Sequence, residues 1–280
     1  MFTLNCKGRL VTIDKAMVMG ILNVTPDSFY NKSRVQQIDE AIEKAAYMLA
    51  NGASIIDIGG QSTRPGSHRI SAEEEEQRVL PIIRAVHQNF PDALISVDTF
   101  YSIVALKAVE AGGSIINDVS AATIDPDMIR AAASLRVPYV LMHMKGDPQT
   151  MQNKAVYDNV VLEVFDFLNQ QLQILHDAGV NDVIVDPGLG FGKTAAHNFQ
   201  LINNLEFFQQ LGKPVMVGLS RKATVYKTLE ITPEEALNGT TVLNTACLLA
   251  GANILRVHDV KEAAEAVILI DALKKNKEHV

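Results

Sequence analysis

The sequence predicts a closed (β/α)8 TIM barrel with a short N-terminal β-hairpin, and three observations lead there. Eight short runs of apolar, mostly β-branched residues recur along the chain. Longer amphipathic stretches rich in Ala, Leu, Glu and Gln separate them, and no linker or low-complexity run breaks the alternation. Strand–helix alternation implies parallel strands joined by right-handed crossovers, and eight such units in 280 residues suit a closed barrel over residues 1–280 as a single domain. An open doubly wound sheet is the runner-up. It usually carries a glycine-rich nucleotide turn after its first strand. Here the first run leads into Asn23-Val24-Thr25-Pro26, which has none.

Before the first run, Phe2 to Ile13 with Lys7-Gly8 at its middle reads as a hairpin under the barrel floor. The eight runs are Val18–Leu22, Ile55–Ile58, Leu94–Val97, Ser114–Ile116, Tyr139–Met142, Val183–Val185, Val215–Val217 and Ile254–Val257. They are apolar almost throughout, as strands covered on both faces are. The stretches between carry helix signals. Ser71-Ala72-Glu73-Glu74 is a capping box, and the acidic run Glu73–Glu76 suits the positive end of a helix dipole. Asp125-Pro126 and Thr232-Pro233 each put a capping residue before a proline at the first helical position. Gly52, Gly112 and Gly179 each follow an Ala- or Leu-rich stretch, where glycine ends a helix.

Apolar residues make up 48% of the chain, enough for a core that needs no disulfide or metal staple. Cys6 and Cys247 read as two reduced thiols, and no Cys/His spacing suits zinc. The net charge of -7 argues against a nucleic-acid or acidic-membrane surface, so an anionic ligand needs a local cationic site. No window is long and apolar enough to span a bilayer, and the N-terminal residues lack a signal-peptide layout; the expectation is a cytoplasmic protein.

In such a barrel the active site gathers at the C-terminal ends of the strands. The residues that follow the eight runs are therefore informative. In order they are Asn23; Gly59 to Gly66; Asp98-Thr99; Asn117-Asp118; Met142-His143; Asp186 to Lys193; Gly218-Leu219-Ser220-Arg221-Lys222; and Arg256 with His258-Asp259. One Asp or Asn at such a place reads equally well as a loop cap. A polar group at all eight does not. The set sorts into two chemistries. Arg64, Arg221 or Lys222, Arg256 and His258 suit a phosphorylated group. Asp98, Asn117 and Asp186 suit a flat heterocycle with amino and ring N–H donors.

Gly188-Leu189-Gly190-Phe191-Gly192-Lys193-Thr194 looks like a phosphate-binding P-loop, but Pro187 occupies the first required glycine position. Its glycines read instead as letting backbone approach a ligand. His68, His87, His176 and His197 fall in loops or helices and read as solvated or packed, while His143 sits at a strand end with no evident partner.

Two long segments then stand out. Met19–Phe29 (MGILNVTPDSF) and Asp57–Gly66 (DIGGQSTRPG) resemble the two signatures of the dihydropteroate synthases. Ser96–Thr99, Ile116–Asp118, Asp186–Lys193, Gly218–Lys222 and Arg256–Asp259 follow in that family's order, so the resemblance covers nearly the whole chain. It implies condensation of 6-hydroxymethyl-7,8-dihydropterin diphosphate with para-aminobenzoate, giving 7,8-dihydropteroate and pyrophosphate. It implies that Asp98, Asn117, Asp186 and Lys222 hold the pterin, with Met142 lining its slot. Asn23 would share a magnesium ion with the diphosphate, which Arg64, Arg256 and His258 would bind. Thr63, Pro65, Phe191, Ser220 and Lys222 would border the para-aminobenzoate position, with Gly218 beside the pocket. Asp98, Asp186, Lys222 and Arg256 would carry the chemistry, and Mg2+ would be the cofactor. The loops after the first two strands would close over the reaction.

The resemblance also implies a homodimer, with the late helices, including Ala263 to Leu273, as the surface. There are departures: Tyr30-Asn31-Lys32-Ser33 stands where the family often has Ser-Asp-Gly-Gly, and Gln61 where Glu is common. Three rivals remain. A barrel moving a methyl group from methyltetrahydrofolate to a corrinoid protein would not need the cationic set. An inactive paralogue would not need intact groups at every strand end. A barrel acting on other phosphates or sugar phosphates would not need both loop signatures. Arg256→Ala is expected to weaken diphosphate binding and spare dihydropteroate, and Phe29→Ala to hurt turnover more than pterin affinity.

Overall fold

The structure is a computed structural model and describes residues 1–24, 34–62, 67–146, 151 and 155–276. It opens with the expected hairpin, β1 (Phe2–Cys6) and β2 (Arg9–Ile13), antiparallel with Cys6 opposite Arg9. Lys7 and Gly8 turn at φ 56 and 87. Positive φ at both central residues lets a two-residue turn follow the twist of its strands.

Eight parallel strands follow: β3 (Met17–Asn23), β4 (Ile55–Gly59), β5 (Leu94–Asp98), β6 (Ile115–Asp118), β7 (Tyr139–Met142), β8 (Val183–Asp186), β9 (Met216–Val217) and β10 (Ile254–Val257). Their order is β8-β7-β6-β5-β4-β3-β10-β9. The ring closes where Val185 bridges Val215 and its N–H donates to the Pro214 carbonyl at 2.9 Å. Among the described residues nine helices lie between and after the strands: α1 (Arg34–Ala50), α2 (Ala72–Asn89), α3 (Ser102–Glu110), α4 (Asp127–Leu135), α5 (Val160–Asp177), α6 (Ala195–Asn203), α7 (Ala223–Tyr226), α8 (Leu237–Leu249) and α9 (Val260–Lys275). A 3-10 segment, Leu205–Leu211, precedes β9. Among the described residues no helix is long and apolar enough to cross a membrane.

Because side chains alternate across a strand, each strand feeds two layers. Met19, Ile55, Leu94, Ile115, Val140, Ile184, Met216 and Ile254 point inward and form the barrel floor, closed below by Leu4, Cys6 and Ile13 of the hairpin. Their neighbours Val18, Ile56, Ile95, Ile116, Leu141, Val185, Val217 and Leu255 point outward under the helices. Removing one such side chain from water is worth about 1.5–3 kcal/mol, so both layers hold the strand register firmly. The inward positions two or four residues beyond the floor are Ile21 and Asn23, Asp57, Ser96 and Asp98, Asn117, Met142, Asp186 and Arg256. Alternation carried upward from an apolar floor therefore delivers the polar set to one rim.

Local signals behave as expected at several helix ends. Gly52, Gly112 and Gly179 all have positive φ. Ser71 caps α2 by accepting from the Glu74 N–H at 3.1 Å. The reciprocal half of that box gives way, because Glu74 pairs with Arg78 instead. The acidic run is not uniformly a dipole cap either. Glu75 is fully buried and accepts from the Thr99 hydroxyl at 3.0 Å, and Glu76 pairs with Lys107. After Thr232-Pro233 the chain makes a turn, and α8 starts only at Leu237. Both cysteines are buried and unpaired.

Candidate active site

The pocket floor is built around Arg256, at the inward position of β10. Its Nε donates to Asp57 Oδ2 at 2.7 Å and its Nη2 to Asp98 Oδ2 at 2.6 Å. Asn117, at the end of β6, donates from Nδ2 to the same Asp57 oxygen at 3.1 Å. Four strands thus meet at one charged cluster. Burial pushes the Asp98 carboxyl up to about 7; Arg256 and Lys222 pull against this, and Asp57 and Asp118 add to it. Burial also works against the Arg256 charge, but Asp57 and Asp98 outweigh it. The other Asp57 oxygen and the Ser96 hydroxyl are buried with no hydrogen-bond partner among the described residues. Unpaired polar atoms under a pocket suit a ligand or water that completes them.

Asp186, at the end of β8, takes the Gly188 N–H on Oδ1 at 2.7 Å. Burial raises its pKa, while Lys222, that N–H, Arg256 and Lys193 hold it down. Lys222 reaches from the start of α7 to the Leu189 carbonyl at 2.7 Å, and its Nζ lies 4.3 Å above the Phe191 ring. Burial pulls its pKa down to about 8 against the opposing charge of Asp186. Met142 and Phe191 share an apolar cluster with Phe100, Val119 and Met151. At Gly218 an added Cβ would stand 3.6 Å from Lys222 Nζ and 3.9 Å from Arg256 Cβ, so the bare backbone leaves the space between these two cations open. Ser220 accepts from the His258 N–H at 3.1 Å and lies 3.2 Å from its Nδ1. Asn23 ends β3 opposite Gly59.

The structure thus brings Asn117, Asp98, Asp186, Met142, Phe191, Gly218, Ser220, Lys222, Arg256 and His258 to one face, with Asn23 on the same rim. It decides between Arg221 and Lys222. Arg221, at φ 55, turns away to grip Asp259 with Nε and Nη2, and donates to the carbonyls of Pro233 and Glu234. Lys222 is the cation that faces the pocket. Thr63, Arg64 and Pro65, and the first-loop residues Thr25 to Ser33 with Phe29 and Asn31 among them, lie outside the described residues.

Two readings need correction. Gly188 and Gly192 do not make room for a ligand; they make room for protein. A Cβ at Gly188 would stand 1.8 Å from the His143 carbonyl oxygen, and one at Gly192 2.7 Å from that of Lys145. His143 also has a partner: Lys193 Nζ lies 2.9 Å from its Nδ1. Asp57 opens the second signature in the sequence but has no role assigned to it there. Its signal was parity, since it lies two residues past the inward Ile55 and two before Gly59. Asp118, one residue past Asn117, points the other way and accepts from Tyr139 and Ser120 hydroxyls.

Comparison with known proteins gives the family. Residues 19–258 match the family described as Pterin binding enzyme. The dihydropteroate synthase of Escherichia coli is 40% identical over 275 residues, spanning 98% of this chain and 97% of that protein. A solved structure of the Yersinia pestis dihydropteroate synthase with a sulfonamide drug complex superposes with a TM-score of 0.92 at 38% identity, covering 98% of this chain and all (100%) of that one. The Xanthomonas albilineans enzyme in complex with 7,8-dihydropteroate gives a TM-score of 0.88 at 36% identity, covering 99% and 100%. With a family match across most of its length and relatives aligned end to end, the chain belongs to the pterin-binding enzymes as a member of the dihydropteroate synthase family.

Proposed function

We propose that the pocket joins 6-hydroxymethyl-7,8-dihydropterin diphosphate to para-aminobenzoate, releasing pyrophosphate and forming 7,8-dihydropteroate. The observation that carries this is a set of buried polar groups, the carboxylates of Asp98 and Asp186 and the amide of Asn117, gathered with two cations, Arg256 and Lys222. A pterin presents an amino group and ring N–H donors on one edge, and a carboxylate pair with an amide satisfies them. Relatives solved with 4-aminobenzoic acid and with 7,8-dihydropteroate support the same assignment.

The reaction breaks the bond between the pterin methylene carbon and the diphosphate oxygen and forms a bond to the amine nitrogen. The amine proton goes to solvent. If C–O cleavage runs ahead of attack, positive charge grows on the pterin and negative charge on the leaving group. In this reading Asp98 and Asp186 stabilise the first, and Arg256, His258 and Lys222 the second. These donors and charges are fixed before the substrate arrives, so little reorganisation is needed as charge develops. Phe191 and Ser220 border the amine's position beside Lys222, with Met142 walling the pterin slot. Thr63, Arg64 and Pro65 complete the diphosphate and para-aminobenzoate sides in this reading.

Asn23 offers a hard amide oxygen on the pocket rim, a donor type that suits magnesium. Among the described residues no cluster of three or more His, Cys, Asp or Glu side chains is placed to hold a metal. In this reading magnesium would be held by Asn23 together with diphosphate oxygens and water, and would neutralise leaving-group charge.

The reading extends to assembly and place. Val242 and Leu249 on α8 and Ile268, Leu269 and Leu273 on α9 are exposed large apolar residues on two helices that pack together, which supports a homodimer through that face. A cytoplasmic enzyme is the accompanying expectation. The test of function is pyrophosphate release from the pterin diphosphate with magnesium, with and without para-aminobenzoate. Release that depends on para-aminobenzoate and yields dihydropteroate supports the reading. Tight pterin binding with no release would favour the methyl-transferring or inactive alternatives.

A further inference from the structure

The lysine that ends the Asp186–Lys193 segment does not face the pocket. Lys193 is 3% exposed, and its Nζ lies 2.9 Å from His143 Nδ1, 2.9 Å from the Gly188 carbonyl and 3.0 Å from the Phe191 carbonyl. The His143 carbonyl stands further off at 3.3 Å. An ammonium has three N–H donors and no acceptor. Three acceptors at about hydrogen-bond distance match it one for one. Burial pulls the Lys193 pKa well below the ordinary lysine value, against the attraction of Asp186. With that nitrogen protonated, His143 accepts at Nδ1 and carries its own proton on Nε2. Burial and the adjacent ammonium push that imidazole down to about 2, in keeping with a neutral ring. The ring itself is held edge-on against Phe167 at 4.9 Å.

These contacts tie the start of the loop (Gly188), its far side (Phe191) and the end of β7 (His143) to one nitrogen. The same loop makes the pocket contacts already described. It gives Asp186 the Gly188 N–H, gives Lys222 the Leu189 carbonyl, and lays Phe191 under the Lys222 ammonium. Tyr157 adds a brace from its hydroxyl to the Gly192 carbonyl at 2.9 Å.

We propose that Lys193, with neutral His143 as its partner, is a positioning residue for the second substrate: it sets the shape of the 187–193 loop and so fixes the Phe191–Lys222 pair against which the arylamine docks. The proposal rests on the reading of the pocket given above. Asp186 belongs to the rigid end of β8 and needs the loop less, whereas Phe191 and the Leu189 carbonyl lie wholly on it.

The experiment compares His143→Leu, His143→Gln and Lys193→Met in the full chain with magnesium, after wild-type turnover has been established. A wild-type protein without turnover would count against the pocket's function and not against this inference. In the variants, His143→Leu and Lys193→Met should raise KM for para-aminobenzoate at least tenfold while the pterin dissociation constant moves less than threefold. His143→Gln keeps an acceptor for the ammonium and should restore KM to within threefold of wild type. If Lys193→Met does not fold, the His143 pair decides alone. Folded variants with KM for para-aminobenzoate within twofold of wild type would overturn the proposal. A loss shared equally by both substrates, or a fall in kcat alone, would overturn it too, because that is the behaviour of a merely structural residue.

Discussion

Replacing Arg256 with Met tests how far the two halves of the site depend on each other. The wild-type guanidinium touches Asp57 and Asp98 at 2.7 and 2.6 Å. At roughly 4 Å between charge centres and an effective dielectric of about 20, each attraction is about 4 kcal/mol before desolvation. Removing one member of a buried ion cluster typically costs about 3–5 kcal/mol, because the remaining charges stay buried without compensation. The variant should therefore lose about 3 kcal/mol or more of folding stability near pH 8, read by chemical denaturation. The deficit should depend on pH with a definite sign. Arg256 is the largest influence holding the Asp98 pKa down, so without it that carboxyl titrates above about 7. A carboxyl with a raised pKa in the folded state keeps a proton that the unfolded chain has released, so stability returns as pH falls through that value. The deficit should be greatest above pH 8 and shrink towards pH 6, figures placed on about one unit either side of the Asp98 value. The sequence predicts that removing Arg256 spares dihydropteroate. The contact with Asp98 predicts instead at least a tenfold loss of dihydropteroate affinity at pH 8. Asp57→Asn in the same chain should recover part of the stability by removing one of the stranded carboxylates. A deficit under about 1 kcal/mol that does not vary with pH, or a double variant no more stable than Arg256→Met, would refute the reasoning.

Three further predictions follow from individual contacts. Asp186→Asn keeps the size but offers an N–H where the pterin edge needs an acceptor, so calorimetry should detect no pterin binding; unchanged affinity would remove Asp186 from the pocket. Gly188→Ala places a Cβ 1.8 Å from the His143 carbonyl oxygen at a φ of 70, and should destabilise the fold by about 3 kcal/mol in denaturation. Full stability there would mean that the loop is not pinned to β7. Burial pushes the Glu75 carboxyl up to about 8, opposed by the Thr99 hydroxyl. Its folded form thus holds a proton that the unfolded chain loses above the ordinary value of 4.5. Wild-type stability should fall as pH rises between those values, by up to about 1.4 kcal/mol per unit from this group alone. Glu75→Gln cannot titrate, so its stability relative to wild type should rise across that window, and parallel curves would contradict the assignment.

Much of this protein is legible in its sequence because the information is local. The eight apolar runs fix the strands, glycines at positive φ close several helices, and Lys7-Gly8 makes its hairpin turn. Asp98, Asn117, Asp186 and Arg256 could be placed on one rim because parallel strands in a barrel all end on the same side. Other features depended on partners far away in the chain. Asp57 looks like one polar residue in an apolar strand until Arg256, 199 residues later, arrives beside it. Arg221 and Lys222 are adjacent and equally cationic; only the turn of the backbone and the position of Asp259 send one to the pocket and the other away. Lys193 resembles a phosphate-binding lysine in a glycine-rich loop, yet the end of β7 offers it His143 in the interior. Glu75 reads as part of an acidic helix start, yet packing of α2 puts it beneath Thr99. Patterns of period and punctuation determined the barrel and the rim where its chemistry gathers. Which charges meet across that rim, and which are turned into the interior, was decided by tertiary packing, because burial makes a charge's energy depend on partners that no local pattern records.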